Sequence, residues 1–579
     1  PLSLGFVGSN LKHEIPDVII TILKSSTEII SFIDNKKPDF LGICNYMWNT
    51  NLANRLARYA REKNPKTFVV YGGPEINKKP AYNQKNFIKK YAHADMLIEH
   101  EGEVAFTQLV KTYLEEDGDT KKIRSRIKEL GNCFYISQEK KIISGPEIVR
   151  NKHLNEIPSP YLTGLFDNFL KQGIYQPLIQ TNRGCPYKCT FCQEGLEYYN
   201  KLRFREVDFV KEELDYIAER INPDVGLWIA DSNWGMYKQD VEISHHIKKL
   251  KDKYNWPHYI NCSTGKSQLE RIQHVAEILD GSLKIMNSMQ SLDENVLTAI
   301  KRKNAMNVKE FMVENEYVSE PDLVMPLPEE TYKSFIKGFN DLLDTKARLR
   351  ICVYPTLLLS DTEMNEPQAQ EKYGLQIKYR QHRNQTGWVA GELVCETECN
   401  IFSTSSMNVK EVIRARQYVV LADALMRWEP LKEIFYYLDS KKIERSDLTM
   451  SLFNSFDTAS KGIQKCFSDY SDGIISESFD TEEEVFEYMK KFSEDYTLGK
   501  KGGDLLRYSN QLWIDHFDEM IEWVFLHLKK ITPNNKETEN EITALTKYFT
   551  YLYYERSNIC LKKAPSVKQR FNYDILRWM

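Results

Sequence analysis

Residues 181–195, TNRGCPYKCTFCQEG, hold three cysteines in the spacing C-x3-C-x2-C, and an aromatic residue precedes the last of them. Three thiolates this close together can each bind a different iron of a 4Fe–4S cluster, which leaves the fourth iron without a protein ligand. An open coordination position allows a metal centre to carry out chemistry rather than only hold a fold together. We therefore predict that Cys185, Cys189 and Cys192 ligate such a cluster.

A structural zinc site is the competing interpretation of the same cysteines. Such sites usually take four Cys or His ligands that lie close in sequence, and the next histidine downstream is His245. On this alternative the chain would be a non-catalytic interaction protein with a structural zinc or iron–sulfur element.

The first 115 residues alternate apolar segments with amphipathic ones. Strands are predicted at LSLGFV, DFLGICNYMW, TFVVYGG and DMLIEHEGE, and helices at 17–33, at NLANRLARYAREKN and from Val104 onward. This alternation is typical of a parallel, doubly wound, Rossmann-like sheet, which binds ligands at the carboxyl ends of its strands. The residues expected at those ends are Tyr46, Trp48, Asn49, Gly72, Gly73, Pro74, Glu75, Glu101, Gly102 and Glu103.

Strand–helix units recur in the middle of the chain, after a connecting region. Residues 131–145 alternate as a β-hairpin, and the proline-marked stretch 154–164 is typical of an extended connector. From about residue 174 to about residue 375 the predicted strands end in polar residues. Repeated units of this kind indicate a partial (β/α) barrel with its chemistry at the carboxyl face of the strands.

After residue 374 the strand–helix rhythm stops, and the C-terminal third is predicted to be mostly helical. This region either shapes a substrate pocket at the open side of the barrel or only stabilises the barrel. Cys395 and Cys399 lie in it, but two cysteines are too few for a second cluster. Helices are predicted over 409–428, 430–438, 482–492, 510–529 and 543–556. The expected layout is an N-terminal sheet domain (1–130), a hairpin and linker (131–173), a partial barrel (174–375) and a helical domain (376–579).

Composition limits the partners that the chain can have. The 78 basic and 82 acidic side chains give a net charge of −4, which argues against affinity for a long nucleic acid. No apolar run reaches the length of a membrane span, and the first residues lack the pattern of a signal peptide. Eleven cysteines without a regular framework suit a reducing compartment. We therefore expect a cytoplasmic location without membrane attachment.

The cysteine loop resembles CxxxCxΦC, with Φ aromatic, the signature of radical S-adenosylmethionine (SAM) enzymes. Three later segments, MQSLDENVLTAIKRKN, DLVMPLPEETYKSF and YPTLLLSDTEM, resemble strands and helices of the six-stranded barrel of that family. The order Trp48-Asn49, YGGPE and EGE resembles the cobalamin-binding domain fused to one large class of these enzymes. The resemblance covers roughly residues 1–375.

The resemblance implies a cobalamin-dependent radical SAM enzyme, similar to the class B methyltransferases. In that family an electron from a flavodoxin- or ferredoxin-like donor reaches the cluster and cleaves SAM to a 5′-deoxyadenosyl radical. Methylcobalamin then gives a methyl group to an unactivated carbon of a small-molecule or peptide substrate. The strand-end residues of the N-terminal sheet named above would contact cobalamin. Some relatives rearrange or cyclise their substrates without methylation, and an N-terminal domain that only serves as a scaffold is the alternative here.

Four residues are implied as SAM contacts by their positions in the resembled barrel. Phe191 would lie near the adenine, and Asp231 would pair with the SAM ammonium group. Ser263 and Gln290 would bond the ribose hydroxyls or the SAM carboxylate. A capping or turn function is the competing interpretation for each strand-end residue. Weaker candidates, for which a solvated surface charge is the competing interpretation, are Lys266, Arg302 and Glu320.

One feature of some cobalamin proteins is missing from the sequence. A histidine that binds cobalt is carried by D-x-H-x-x-G, and this pattern is absent; His100, in EHEGE, does not fit it. The resembled family usually lacks that motif too, so its absence is compatible with cobalamin. The region 45–49 is the candidate for the lower face of the cofactor. The glycines of YGGPE would let the backbone approach a large ligand, or they would serve only as tight turns.

Overall fold

A computed structural model of the chain describes residues 2–78, 84–150, 153–304, 318–345, 351–427, 429–498, 500–502 and 505–560. These residues form an α/β fold with parallel sheets in the first two thirds and a helical region after them. The predicted α/β class is therefore confirmed. Trp428, at the end of one predicted helix, and the side chain of Glu320 lie outside the described part.

The N-terminal sheet has five strands in the order β1-β2-β3-β4-β5. Strands β1 to β3 are parallel, and β4 and β5 form the predicted antiparallel hairpin. Val69 and Tyr71 of β2 pack toward one layer of helices, whereas Phe68 and Val70 pack toward the other. Burial on both faces explains the uninterrupted apolar run of this strand. The bounds are β1 Phe40–Cys44, β2 Phe68–Gly72, β3 Met96–Ile98, β4 Cys133–Ile136, β5 Ile142–Ser144, α2 Ser26–Lys36, α3 Thr50–Lys63, α4 Gln84–Tyr91, α5 Glu103–Glu115 and α6 Thr120–Ser125.

The chain begins with a helix, α1 (Leu2–Glu14), where LSLGFV predicted a strand. That prediction is wrong because the buried residues, among them Leu2, Phe6 and Leu11, recur with the period of a helix along the whole segment. The helix predicted over 17–33 begins only at Ser26. The backbone N–H of Ser25, the residue before it, donates to the Glu28 carboxylate (3.4 Å). Such a bond is typical of a helix N-terminus.

Helix α1 does not pack only on the N-terminal sheet. Phe6 is buried with the apolar residues of the central part of the chain. Gly5 faces Phe166 and Pro160, and Gly8 faces Leu165 at 2.9 Å from the position that a Cβ would take. The absence of side chains at both glycines allows α1 to lie against the connecting segment, so this helix ties the two parallel sheets together.

The central part contains two groups of three parallel strands, in the orders β10-β9-β6 and β11-β12-β13. An isolated parallel bridge from Ile260 to Leu283 links the two groups. A short antiparallel ribbon, β7 paired with β8, closes the two ends of the cysteine loop. The strands are β6 Leu178–Ile179, β7 Asn182–Arg183, β8 Arg203–Phe204, β9 Leu227–Trp234, β10 Ile260–Thr264, β11 Ile285–Gln290, β12 Val318–Met325 and β13 Cys352–Pro355. The helices are α7 Asp167–Gln172, α8 Val207–Ala218, α9 Lys238–Tyr254, α10 Leu269–Ile278, α11 Glu294–Ala299, Tyr332–Leu343 and Pro367–Lys372.

The C-terminal third opens with a long antiparallel hairpin that the sequence did not predict, β14 (Gln376–Val389) and β15 (Glu392–Ser403). Cys395 and Cys399 lie on β15 and pack against neighbouring side chains. The remaining described elements of this third are helices. These helices are Val409–Met426, Lys432–Ser440, Arg445–Asn454, Lys461–Ser476, Glu482–Thr497, Leu505–Asp515, Phe517–Ile531 and Lys536–Cys560. Among all the helices that the structure describes, none is both long enough and apolar enough to cross a bilayer.

The β14–β15 hairpin binds the N-terminal end of helix α3. The Glu396 carboxylate accepts hydrogen bonds from the backbone N–H groups of Asn51 (2.9 Å) and Leu52 (2.8 Å). A carboxylate at this position satisfies free amides and complements the helix dipole. Arg55 donates to the Ala390 carbonyl (2.6 Å) at the hairpin tip. These contacts hold the hairpin beside the carboxyl edge of the N-terminal sheet.

Replacing Gly5 by Val should lower the free energy of unfolding by about 1–3 kcal/mol, because its Cβ would overlap the Phe166 ring and lie 2.8 Å from the Pro160 Cβ. Gly387→Val is the matched control, since a Cβ there meets nothing within 4 Å and the residue lies in an exposed strand. Chemical denaturation of both variants measures the difference. Equal stabilities would contradict close packing of α1 on the connecting segment.

Candidate active site

The cysteine loop is held by its own backbone and by the β7–β8 ribbon. The Cys185 N–H donates to the Tyr199 carbonyl (3.0 Å), and the Cys192 N–H donates to the Cys189 carbonyl (3.2 Å). Gly184 has a φ of +108°, and a Cβ there would lie 2.5 Å from the Tyr199 oxygen. The loop therefore needs glycine before its first cysteine.

Polar side chains from other segments reach two of the cysteine sulfurs. The Asn233 amide lies 3.4 Å from Cys185 Sγ, and Lys266 donates to the Asn233 carbonyl oxygen (3.3 Å). Burial lowers the pKa of Arg302, and the neighbouring Cys189 thiol opposes that shift. Burial raises the pKa of the Cys192 thiol to about 11. Donors directed at thiolates are typical surroundings of metal-bound cysteines, so this arrangement fits an iron–sulfur cluster.

A single metal ion fits the loop less well. Within the described ranges, no three His, Cys, Asp or Glu side chains converge on a position that could hold one ion. A zinc site needs such convergence, whereas cluster ligands each bind a different iron and need not converge on one point. Three neighbouring cysteines without a fourth ligand close in sequence fit a cluster with one open iron.

The predicted SAM residues lie at or near the carboxyl ends of the central strands, apart from Phe191 in the loop. Phe191 is half-buried against an apolar cluster that includes Ile300 and Leu327. Ser263 is exposed on β10. Gln290, the last residue of β11, has a φ of +68°. Such a backbone conformation is uncommon for a residue other than glycine and is often found at functional sites.

Asp231 is engaged within the protein. Its carboxylate accepts from the Thr181 N–H (2.9 Å) and hydroxyl (2.5 Å), and from the Asn182 N–H (3.3 Å) and amide (2.9 Å). Burial raises the pKa of Asp231 to about 6, although these hydrogen bonds oppose the rise. Because both oxygens are used, the competing interpretation of Asp231 as a structural residue gains support. It fixes the segment that enters the cysteine loop.

The end of β11 is fixed by Arg302, one of the weaker sequence candidates, and by Ser291 and Glu330, which the sequence did not assign. Arg302 donates to the Ser288 carbonyl and lies near Cys189, and this buried position excludes the surface charge proposed as its alternative. Ser291 donates to the Glu330 carboxyl (2.9 Å). Burial raises the pKa of Glu330 to about 8. Arg302 thus fixes the end of this strand close to the cysteine loop.

An exposed tryptophan and a half-buried tyrosine lie at the carboxyl edge of the N-terminal sheet. Tyr46 and Trp48 stack with their ring centroids 4.5 Å apart and an angle of 12°, and Trp48 is 48% exposed. The Asn49 side chain instead closes the turn, accepting from Tyr46 N (2.7 Å) and donating to the Cys44 carbonyl (3.0 Å). Asn45 is fully buried. The surface open to a ligand in region 45–49 is therefore aromatic, which suits a flat cofactor.

The glycines of YGGPE differ in what they permit. Gly73 has a φ of +108°, and a Cβ there would lie 2.5 Å from the Asn45 carbonyl oxygen. This glycine is thus required by the contact between two loops of the protein. A Cβ at Gly72 would make only ordinary contacts, at 3.7 Å or more, and so would one at Gly102, at 3.5 Å. Neither of these two glycines is required by the packing of the chain.

The same turn contacts the cysteine loop directly. The Gln193 amide, next to Cys192, donates to the carbonyls of Pro74 (3.1 Å) and Ser360 (3.0 Å). The Ser360 hydroxyl donates to the Glu75 carboxyl (2.8 Å), and burial raises the pKa of Glu75 above its ordinary value. The carboxyl edges of the N-terminal and central sheets therefore face each other across this contact.

Glu101 and Glu103 are both occupied by arginines. Arg183 donates to Glu103 (2.6 Å) and lies 3.8 Å from Glu101, which also pairs with Arg203 and Arg150. Burial opposes ionisation of Glu101, but the neighbouring guanidinium groups hold its pKa below the ordinary value. These glutamates thus connect the N-terminal sheet to the ribbon that closes the cysteine loop.

A cleft of about 160 Å³ lies beside the contact between the two sheet edges. Lys90 pairs with Glu482 (3.1 Å) in its wall. Burial, together with the charges of Glu99 and Glu75, raises the pKa of Asp361 to about 8. Pockets that enclose a drug-sized ligand measure roughly 300–1,000 Å³, so the enclosed part of this cleft has room for a small polar group.

Comparisons with known proteins agree with this arrangement. Residues 1–110 match the model of the B12 binding domain. The chain is 31% identical over 355 residues to the cobalamin-dependent radical SAM methyltransferase TokK of Streptomyces tokunonensis, a match of 58% of this chain and 50% of that protein. It is 29% identical over 391 residues to 2-(S-pantetheinyl)-carbapenam-3-carboxylate methyltransferase of Streptantibioticus cattleyicolor, covering 65% of this chain and 55% of the relative.

The fold resembles that of a solved cobalamin-dependent SAM radical enzyme, OxsB. The TM-score is 0.53 at 14% identity, and the match covers 100% of this chain and 80% of that chain. The chain is thus an α/β protein whose residues 1–110 match the B12 binding domain, and the predicted resemblance to cobalamin-dependent radical SAM methyltransferases is confirmed. The chain spans about half the length of the curated relatives that it matches.

Stability should depend on pH through Glu330. Its folded pKa of about 8 lies above the ordinary value of about 4.3, so the folded state holds the proton more tightly. The contribution of Glu330 to the free energy of unfolding is therefore present in full at low pH and is lost as the pH rises through about 8. The thermal midpoint of the native chain should therefore fall, relative to that of Glu330→Gln, between about pH 5 and about pH 8.5.

The exposed neighbour Glu329 provides the matched control for this experiment. Glu329→Gln should follow the native pH profile throughout the range. If Glu330→Gln also followed it, the buried carboxyl would not be protonated in the folded chain.

Proposed function

We propose that this chain acts as a cobalamin-dependent radical SAM enzyme that methylates an unactivated carbon of a small-molecule substrate. The observation that carries the proposal is the contact of the cysteine loop with the YGGPE turn, through Gln193 and the Pro74 carbonyl. A loop suited to a cluster thereby lies against the edge of a B12 binding domain. The contact supports a site at which the two cofactors work on one substrate.

The two groups of parallel strands support a partial (β/α)6 barrel, because the bridge from Ile260 to Leu283 makes them neighbours. We assign residues 174–375 to this barrel and 1–130 to the cobalamin domain. The hairpin and linker then cover 131–173, and residues 376–579 form the C-terminal domain. The β14–β15 hairpin is bound to α3, which supports a function of the C-terminal domain in covering the site.

In this proposal Cys185, Cys189 and Cys192 hold the 4Fe–4S cluster. When bound, the cluster and SAM supply a radical that removes a hydrogen atom, and cobalamin supplies the methyl group. The protein orients these groups and excludes competing reactions. Asn233 donates to the Cys185 sulfur, and the Arg302 guanidinium near Cys189 offsets negative charge.

Phe191, Ser263 and Gln290 are the proposed SAM contacts, at the carboxyl face of the barrel. The four hydrogen bonds accepted by Asp231 favour a supporting function, in which it fixes the strand that enters the cysteine loop. The cluster needs an external electron, and a flavodoxin- or ferredoxin-like protein is the proposed donor.

Tyr46 and Trp48 are the proposed contacts of the corrin face, since the Trp48 ring is exposed at the sheet edge and stacks on the half-buried Tyr46 ring. Gly72 supports close approach of the cofactor, because the packing of the chain does not require a glycine there. Pro74 and Glu75 are proposed to hold the turn beside the cofactor. The curated relatives are named as methyltransferases, which supports methyl transfer over rearrangement.

Anaerobic reconstitution of the native chain with iron, sulfide and cobalamin should give about four irons and one corrinoid per chain. Cys189→Ala should lose most of the iron, because one iron of the cluster then lacks its protein ligand. Metal and corrinoid analysis after gel filtration measures both. Cys133→Ala, a buried cysteine of the N-terminal sheet, is the control and should keep its iron. Zinc in place of iron in the native chain would overturn the proposal.

Trp48→Ala should weaken corrinoid binding by about tenfold, because it removes an exposed aromatic face at the sheet edge. Trp388→Ala provides the matched control, since Trp388 is 74% exposed on the C-terminal hairpin and should not change the affinity. Titration of the full chain with cobalamin, followed by absorption, compares the variants. Unchanged affinity in Trp48→Ala would remove Trp48 from the proposed cobalamin contacts.

A further inference from the structure

An ion network joins the N-terminal sheet to the ribbon of the cysteine loop. Glu101 follows β3, and Glu103 is the first residue of α5, whereas Arg183 and Arg203 face each other on β7 and β8. Arg183 lies 2.6 Å from Glu103, and Arg203 contacts Glu101. Arg150, from the connecting segment, lies 3.2 Å from Glu101. Three separate segments therefore meet at two carboxylates.

The network is largely excluded from water. The side chains of Glu103, Arg203 and Arg183 are 7%, 8% and 12% exposed, and that of Glu101 is 18% exposed. Removing one member of such a network leaves a buried charge without its partner, which is strongly destabilising locally. A surface ion pair, by contrast, contributes little. The geometry of the ribbon must therefore depend on the two glutamates.

Helix α1 also contacts two members of this network, Arg183 and Glu103. The Phe6 ring lies 5.2 Å from the Arg183 guanidinium and 4.6 Å from that of Arg205. Asn10 donates to the Glu103 carbonyl (3.0 Å) and so fixes the beginning of α5. Cation–π contacts of this kind stabilise a guanidinium in one orientation. The arginine that immediately precedes Gly184 and Cys185 is thus held on several sides.

Both carboxylates are already used by these partners. One oxygen of Glu101 contacts Arg150 and Arg203, and the other lies 3.8 Å from Arg183. A cofactor that approached Glu101 or Glu103 would have to displace a guanidinium from a buried position. The position of the two residues at the strand end predicted that they contact cobalamin. Because guanidinium groups already occupy both carboxylates, they are poorly placed to do so.

We propose that Glu101 and Glu103 are positioning residues for the cysteine loop, acting through Arg183 and Arg203, and that neither contacts cobalamin. The N-terminal sheet thereby determines where the first cysteine of the loop lies. This inference rests on the proposed function only in treating that loop as the cluster site.

Hydrogen exchange of the full-length chain, before and after reconstitution, tests the inference. In Glu103→Gln, amides of residues 184–199 should exchange about tenfold faster than in the native chain, because the ribbon loses an ionic partner. The corrinoid affinity should stay within about twofold of the native value. Glu101→Gln should show the same pattern.

The double variant Glu103→Arg with Arg183→Glu provides a test by charge exchange. Its amides at residues 184–199 should exchange at a rate closer to the native rate than those of Glu103→Arg alone or Arg183→Glu alone. Arg126→Gln is the matched control, since Arg126 binds Glu115, Glu116 and Glu129 on the surface of the same domain. It should leave the loop unchanged.

Two results would overturn the inference. The first is a corrinoid affinity that falls tenfold or more in Glu103→Gln while exchange of residues 184–199 is unchanged, because the glutamate would then contact the cofactor. The second is unchanged exchange in Glu101→Gln and Glu103→Gln. If Glu101→Gln or Glu103→Gln fails to fold by circular dichroism, aspartate at the same position replaces glutamine. Aspartate keeps the charge on a shorter side chain and should give intermediate exchange. Failure of the proposed function would instead appear as missing iron or corrinoid in the native chain.

Discussion

The attachment of the cysteine loop to the N-terminal sheet is the constraint on which the rest of the site depends. Strands β7 and β8 have only two residues each, and a two-stranded ribbon of that size is not stable by itself. Its position follows from contacts on both sides of the loop. Arg183 binds the acidic groups after β3, and Gln193 binds the YGGPE turn after β2. Because both contacts reach the carboxyl edge of one sheet, the loop must face that edge.

The boundary between the two parallel sheets is therefore a packed interface rather than a flexible joint. Phe6 of α1 is buried with central residues and lies between two arginines. Gly5 allows α1 to contact the connecting segment at Phe166. The β14–β15 hairpin adds a third contact, since Glu396 binds the beginning of α3. Large relative motions of the two sheets would have to break buried ionic and apolar contacts together, which opposes such motions.

Sequence patterns identified the parts of this fold whose signals are local. The cysteine spacing identified the loop, and the uninterrupted run FVVY identified a strand buried on both faces. LSLGFV failed because six residues are too few to separate strand alternation from a helical period. The β14–β15 hairpin was missed because β14, QIKYRQHRNQTGWV, is mostly polar, so its pairing depends on β15 and α3 rather than on its own apolar pattern.

The site residues show the same division between local and distant information. Sequence can place Asp231 at a strand end, but it cannot show that Thr181 and Asn182 arrive there and use both carboxylate oxygens. It can name Arg302 as a candidate, yet its burial beside Cys189 follows only from the fold. A strand-end pattern therefore predicts the neighbourhood of a site better than it predicts which side chains remain free for a ligand.

The charges around the loop follow one physical rule. Burial raises the pKa values of Asp231 to about 6 and of Glu330 to about 8, because neither carboxyl pairs with a cation among the residues that the structure describes. Glu101 is also buried, but its arginines lower its pKa. Negative charge is thus retained near the loop where guanidinium groups balance it. Three thiolates on a cluster would add further negative charge. Among the described residues, Asn233 donates to Cys185 and the Arg302 guanidinium lies near Cys189. The protein surrounding the loop is consequently suited to an anionic metal centre, and the ion network that fixes the position of the loop also limits its local charge.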